Sequence, residues 1–232
     1  MVDPKNKDEK PLQSFLPTLR CIEQEITSII IKDIKSALLT KLHEFKLEEL
    51  VNSGDSVALT GSSRGIFRQD LIIKTVVDLL KELGAKPFIF PAMGSHGGAS
   101  PDGQRSILEE YGITEDAMSC PVKSTMEVVE IARSEFDSPI YVDKHAASAD
   151  RIILINKIKT HSKFTGDVES GLSKMCLMGL GKHEGAKTYH RLVAKHSWSE
   201  VVRSIRNKIL STLPIICGIA IIQGAHGKIS RI

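Results

Sequence analysis

An α/β fold with a mostly parallel sheet and flanking helices is predicted by three observations: apolar runs of strand length, a glycine-containing loop after each of the first two, and helical periodicity beyond those loops. The first run is Val57-Ala58-Leu59-Thr60, followed by Gly61-Ser62-Ser63-Arg64-Gly65 and a helix from about Asp70 to Leu83 that Gly84 closes. The second, Pro87 to Ala92, leads into Gly94-Ser95-His96-Gly97-Gly98, after which Ser100 and Pro101 supply the cap and first residue of a helix through Glu110. Arg151 to Ile155 is a third strand and Ile215 to Ile222 a further one, with helical patterns over Gly171 to Leu180 and Ser199 to Leu210. Such alternation puts ligands at the carboxyl ends of the strands.

Ahead of the first strand, apolar residues at helical spacing (Ile29, Ile30, Ile34, Leu38, Leu39, Leu42) predict one or two amphipathic helices between Ile26 and Leu50. The expected division is a polar segment and helical region over 1–50 and an α/β domain over 51–232. At the other end, Ala220 to Gln223 enters Gly224-Ala225-His226-Gly227-Lys228 and then Ile229 to Ile232, which reads as strand, turn and the start of another strand. That ending predicts a chain cut before a carboxyl-terminal domain.

Composition narrows the function. With 31 Lys and Arg against 28 Asp and Glu, the net charge of +3 is spread along the chain, and Trp198 is the single tryptophan, so nucleic acid is not the expected partner. The polar stretch from Met1 to Gln13 lacks the apolar core of a secretory signal, and Leu213 to Ile222 is too short to span a bilayer; the expected location is the cytoplasm, with no membrane partner. Cys21, Cys120, Cys176 and Cys217 form no C-x-x-C pair, which disfavours a zinc knuckle or redox dithiol and predicts reduced thiols.

Chemistry concentrates where glycines let the backbone approach a ligand. The loops after the three strands carry Arg64, His96 and His161, and in a parallel sheet they converge on one edge, so an arginine able to hold a carboxylate or phosphate would face two imidazoles. No G-x-G-x-x-G spacing accompanies them, which removes a plain dinucleotide fingerprint. Each residue also has a plainer reading: a surface turn arginine, a turn histidine, a solvated histidine between Lys159 and Lys163. Lys174 stands in the apolar setting Leu172-Ser173-Lys174-Met175-Cys176-Leu177-Met178, where a lysine either snorkels or has its amine enlisted. His190 reads as a ligand or a helix-face histidine, and Lys182, His183 and Lys187 compete for any role given to Lys174 or His190.

Longer motifs discriminate among these. Pro91-Ala92-Met93-Gly94-Ser95-His96-Gly97-Gly98-Ala99, Ser124-Thr125-Met126-Glu127-Val128-Val129, Tyr141-Val142-Asp143 and Glu169-Ser170-Gly171-Leu172-Ser173-Lys174-Met175, followed by Gly179-Leu180-Gly181-Lys182, together resemble the nickel-pincer lactate racemase family and its wider set of 2-hydroxyacid racemases and epimerases. The likeness runs from about Val57 to Gln223 and implies a Rossmann-like N-terminal domain of a two-domain isomerase. It implies His96 and His161 as the acid/base pair flanking the substrate, Lys174 as the covalent anchor of the nickel-pincer nucleotide, and His190 as the nickel ligand. Arg64, with Ser62 and Ser63, matches the loop that contacts nucleotide and substrate. Implied partners are a small 2-hydroxy acid and the enzymes that synthesise and insert the cofactor.

The chemistry is coherent with that set. The α-hydrogen of a 2-hydroxycarboxylate is too weakly acidic for a histidine to remove as a proton at useful rates, so a hydride route with a histidine taking the hydroxyl proton avoids the carbanion. Two departures from the family pattern bear on the substrate: Gly61 stands where the best-known members carry aspartate, and Thr160 precedes His161 where close relatives often have proline. The alternatives are a metal-dependent hydrolase with His96, His161 and His190 around one ion, or a non-catalytic module holding a nucleotide or anion in its glycine loops.

Overall fold

The computed structural model describes residues 19–27, 29–160 and 168–232. In chain order the elements are α1 (Ile34–Glu44), β1 (Ser56–Gly61), α2 (Gln69–Glu82), β2 (Lys86–Pro91), α3 (Pro101–Glu110), α4 (Glu115–Met118), β3 (Val128–Arg133) and β4 (Pro139–Asp143). There follow α5 (Lys144–Ala147), β5 (Arg151–Ile158), α6 (Leu172–Lys174), α7 (Lys182–Val193), α8 (Trp198–Thr212), β6 (Ile215–Gln223) and β7 (Ile229–Arg231).

The predicted α/β class with a mostly parallel sheet is what the chain forms. Five strands lie in the order β2-β1-β5-β6-β7; the first four run parallel and β7 returns antiparallel to β6. Side chains alternate across the strands, so Val57, Leu59, Ile153 and Ile155 enter a core with α1 and α2, while Ala58, Phe90, Ile152 and Leu154 enter a second core with α7 and α8. Burial on both faces explains why these strands read as continuous apolar runs. Among the described residues, no helix is long and apolar enough to cross a membrane.

Caps set the helix boundaries. Ser100 accepts the Gly103 amide at 3.1 Å with Pro101 in the first turn, as predicted, and Gly84 closes α2 at φ 80°. The Ser197–Glu200 capping box starts α8 at Trp198, one residue ahead of the periodic pattern. The helix expected from Ile26 begins only at Ile34: Asp33 caps it by accepting the Ser36 amide, and Ile31 instead donates its backbone N–H to Ile229 beside β7. Three consecutive β-branched isoleucines, Ile29 to Ile31, suit that extended path better than a helix. Ile29, 80 % exposed, therefore lies outside the apolar face to which its spacing assigned it.

The order β2-β1-β5 places the topological switch between β1 and β5. Those strands pair only through Val57–Leu59 and Arg151–Ile153. Beyond that point the Thr60 hydroxyl takes over, accepting from the Ile155 amide at 2.7 Å and facing the Ile155 carbonyl at 3.3 Å. A crevice opens at the carboxyl edge, and the functional residues surround it.

Candidate functional site

Three strand ends and two helices enclose a cavity of about 380 Å³. From the end of β1 come Ser62, Ser63 and Arg64; from the end of β2, Met93 to His96; from the end of β5, Asn156, Lys157 and Lys159. Lys174, Met175 and Met178 form another wall, and Ala186 and His190, one turn apart on α7, complete it. Six of the seven residues selected from the sequence (Ser62, Ser63, Arg64, His96, Lys174 and His190) thus meet around one space. The seventh, His161, lies outside the described residues.

The first loop is held from behind. Ser62 is buried with its hydroxyl 3.0 Å from Gln69 Oε1, Tyr111 donates its phenol to the Ser63 carbonyl at 3.1 Å, and Lys157 donates to the Gly65 carbonyl at 2.9 Å. Ser63 Oγ and His96 Nδ1 are hydrogen-bonded, which leaves Nε2 as the ring nitrogen for a bound molecule.

The His96 loop requires its glycines. Gly97 has φ 62°, and a Cβ there would sit 2.5 Å from the Gly103 carbonyl carbon, so loop and helix α3 touch backbone to backbone. Gly98, at φ 64°, faces open space. Gly97→Ala is expected to lower stability by about 1–3 kcal/mol through overpacking, on top of the left-handed strain that both glycine positions carry. Gly98→Ala carries only the left-handed strain of roughly 1–2 kcal/mol. Urea unfolding of the two variants checks this, and equal losses would rule out the close-approach explanation.

Lys174 ends α6 and enters a π-helical turn over Met175–Gly179, closed by the Leu180 amide on the Met175 carbonyl at 3.0 Å. Gly179 makes this possible, because a Cβ would press to within 3.0 Å of the Ala92 carbonyl oxygen. The wide turn thereby packs against the end of β2 and brings Lys174 to the cavity that also holds His96. Tyr189 anchors the other helix, its hydroxyl accepting the Tyr141 amide at 3.0 Å while the neighbouring His190 lines the cavity.

Arg64, Lys157, Lys159 and Lys174 give the cavity four cations, and no carboxylate is among its described lining residues. Burial, then the charges of Arg64 and Lys159, lowers the Lys174 amine to about 8. Burial, Arg64 and Lys174 hold His96 below the usual imidazole range, and burial followed by Lys159 lowers Lys157. A neutral imidazole and a partly neutral amine beside fixed cations suit an anionic ligand. At pH 8 a limiting amine-directed acylating reagent is expected to label Lys174 ahead of the exposed Lys187; peptide mass spectrometry reads the order, and parity would contradict the lowered amine.

Sequence reasoning missed Lys157 and treated Lys159 only as a neighbour of His161. The polar pair Asn156-Lys157 directly after the apolar run was the available signal, since β5 continues through Ile158 and carries both into the crevice. Asn156 donates to the Gly171 carbonyl at 2.9 Å, and the Lys159 amide donates to Ser170 Oγ at 3.0 Å, tying β5 to the segment before Lys174.

The sequence matches the family described as Lactate racemase N-terminal domain over residues 11–201. Among solved structures, the lactate racemase apoprotein from Thermoanaerobacterium thermosaccharolyticum is similar in fold, with a TM-score of 0.67 at 13% identity over 88% of this chain. The match covers 52% of that protein, so this chain spans about half its length. No curated protein matches the sequence.

Proposed function

The chain belongs to the lactate racemase N-terminal domain family, and from that premise we propose that it forms the cofactor-holding part of an isomerase that racemises or epimerises a 2-hydroxy acid with a nickel-pincer nucleotide. The carrying observation is the single cavity in which His96, Lys174, His190 and Arg64 meet, cationic and free of carboxylates among its described lining residues. A 2-hydroxycarboxylate and a nucleotide phosphate are both anions that such a lining favours.

The side chains fit the cofactor. Lys174 offers an amine lowered to about 8 for covalent attachment, and His190 offers one imidazole in the same cavity. Among the described residues no three His, Cys, Asp or Glu side chains gather into a metal site of their own. That suits a metal taking most of its ligands from an organic group. When bound, the nickel-pincer nucleotide supplies reversible hydride acceptance.

The chain's own residues bind, orient and move the proton. Arg64 presents the planar guanidinium that pairs with a carboxylate. His96, neutral at pH 7 because burial and the cations beside it disfavour its charged form, accepts the hydroxyl proton through Nε2 while Ser63 holds Nδ1. The opposing base in this reading is His161.

The test uses the full-length protein made together with cofactor-synthesis enzymes and a 2-deuterated 2-hydroxy acid. Chiral chromatography is expected to show racemisation or epimerisation with deuterium retained at the reacting carbon. Deuterium washing out into solvent at the rate of inversion would instead indicate proton abstraction and sink the hydride reading.

A further inference from the structure

Behind the cavity wall, Lys182 is wholly buried, and its backbone stands in the left-handed region at φ 54°. A non-glycine residue rarely accepts that conformation unless its surroundings impose it. Its Nζ donates to the Pro91 carbonyl at 2.7 Å and to Gln104 Oε1 at 2.5 Å, and lies 3.6 Å from Asp143 Oδ2. Asp143 is also fully buried; its Oδ1 accepts the His145 and Ala146 amides, and Oδ2 has no hydrogen bond, so Lys182 supplies its nearby opposite charge.

Gln104 is fully buried as well, and its Nε2 donates to the Gly94 carbonyl at 2.8 Å and the His96 carbonyl at 3.2 Å. An amide can present oxygen or nitrogen to either side, and a lysine ammonium only donates. Lys182 therefore fixes the amide with oxygen toward itself and both nitrogen donors toward the loop. We infer that Lys182 is a positioning residue: acting through Gln104, it orients the His96 loop and hence the acid/base imidazole. Of Lys182, Gln104 and His96, only His96 lines the cavity and would touch the reacting atoms, and the inference rests on the function proposed above for that residue.

The variant that separates positioning from folding is Gln104→Glu. It keeps an acceptor for Lys182 and turns the loop-facing donor into an oxygen that repels the Gly94 and His96 carbonyls. Lys182→Met, combined with Asp143→Asn to avoid a stranded charge, is the second variant.

Histidine-labelled NMR of the cofactor-free full-length protein reads the His96 ring directly. Both variants are expected to shift its resonances and raise its titration midpoint toward the ordinary histidine value, with the other histidines unmoved. In loaded protein kcat is expected to fall about tenfold to a hundredfold with KM little changed, the scale of a misplaced catalytic group. A His96 ring that titrates as in the parent in a folded Gln104→Glu protein would overturn the inference. If the ring responds while the parent itself turns over no 2-hydroxy acid, the positioning device stands and the proposed reaction falls.

Discussion

Lys174→Ala, in the full-length protein produced alongside cofactor-synthesis enzymes, is expected to carry no covalent adduct and to lose turnover entirely, whereas Lys187→Ala keeps both. The difference follows from environment. A lysine at the ordinary value of about 10.4 is roughly 0.4 per cent neutral at pH 8, so few of its amines are nucleophilic. Burial and the adjacent cations bring Lys174 to about 8, which makes about half of its amines neutral at that pH. The gain in reactive form is about a hundredfold. Lys187 lies on the exposed side of α7 and does not line the cavity. Intact mass spectrometry decides: an adduct that survives in Lys174→Ala, or an unmodified parent chain, would remove the lysine from the attachment role.

Lys182 looked like an equal competitor for that role in the sequence, since both lysines stand among apolar and glycine residues. What separates them is tertiary. Lys174, at the end of α6 just before the π-helical turn, lines the cavity, whereas Lys182 is sealed behind it against Pro91, Gln104 and Asp143. Periodicity carries no information about which buried acceptor a lysine will meet, and Gln104 lies 78 positions away from Lys182. Lys157 went unread for a related reason: its place on the crevice depends on how far β5 continues past its apolar run.

The parallel sheet was legible because strands buried on both faces are apolar throughout, and the glycines after β1 and β2 mark the turns that follow. The hairpin β3–β4 was not. β3 has no fully buried position, β4 mixes partly and fully buried ones over only five residues, and a bulge lies near Glu130, so no long apolar run announces either strand. Asp137, at φ 53° in the turn, with Val128, Val129 and Tyr141 on the flanking strands, was the weaker signal available. Low burial, as in β3, also makes the Ile29–Ile31 path illegible, because its spacing resembles a helix while its backbone follows β7.

Of the two histidines among the cavity's described lining residues, His96 is the base, and His96→Asn is expected to lower kcat by about a hundredfold to ten-thousandfold, the range for a lost general base. It should keep bound nickel, while His190→Ala should lose it; metal analysis of purified loaded protein separates the roles, and equal nickel in both variants would take His190 out of the metal site. The pH profile then identifies the base. Burial and Arg64 disfavour the imidazolium of His96, as does the Lys174 ammonium while its amine is unattached, so its pKa lies below the ordinary value of about 6.5. The acid limb of kcat/KM, where the base becomes protonated, is accordingly expected below that value. Removing one of the cations by Arg64→Gln makes the imidazolium easier to form, which raises the pKa and moves the limb to higher pH. At pH 6 the variant then loses proportionally more activity than at pH 8, beyond any uniform loss from weaker carboxylate binding. A limb that stays put in Arg64→Gln while activity falls evenly at every pH would mean that the guanidinium only binds substrate and that a group other than His96 titrates.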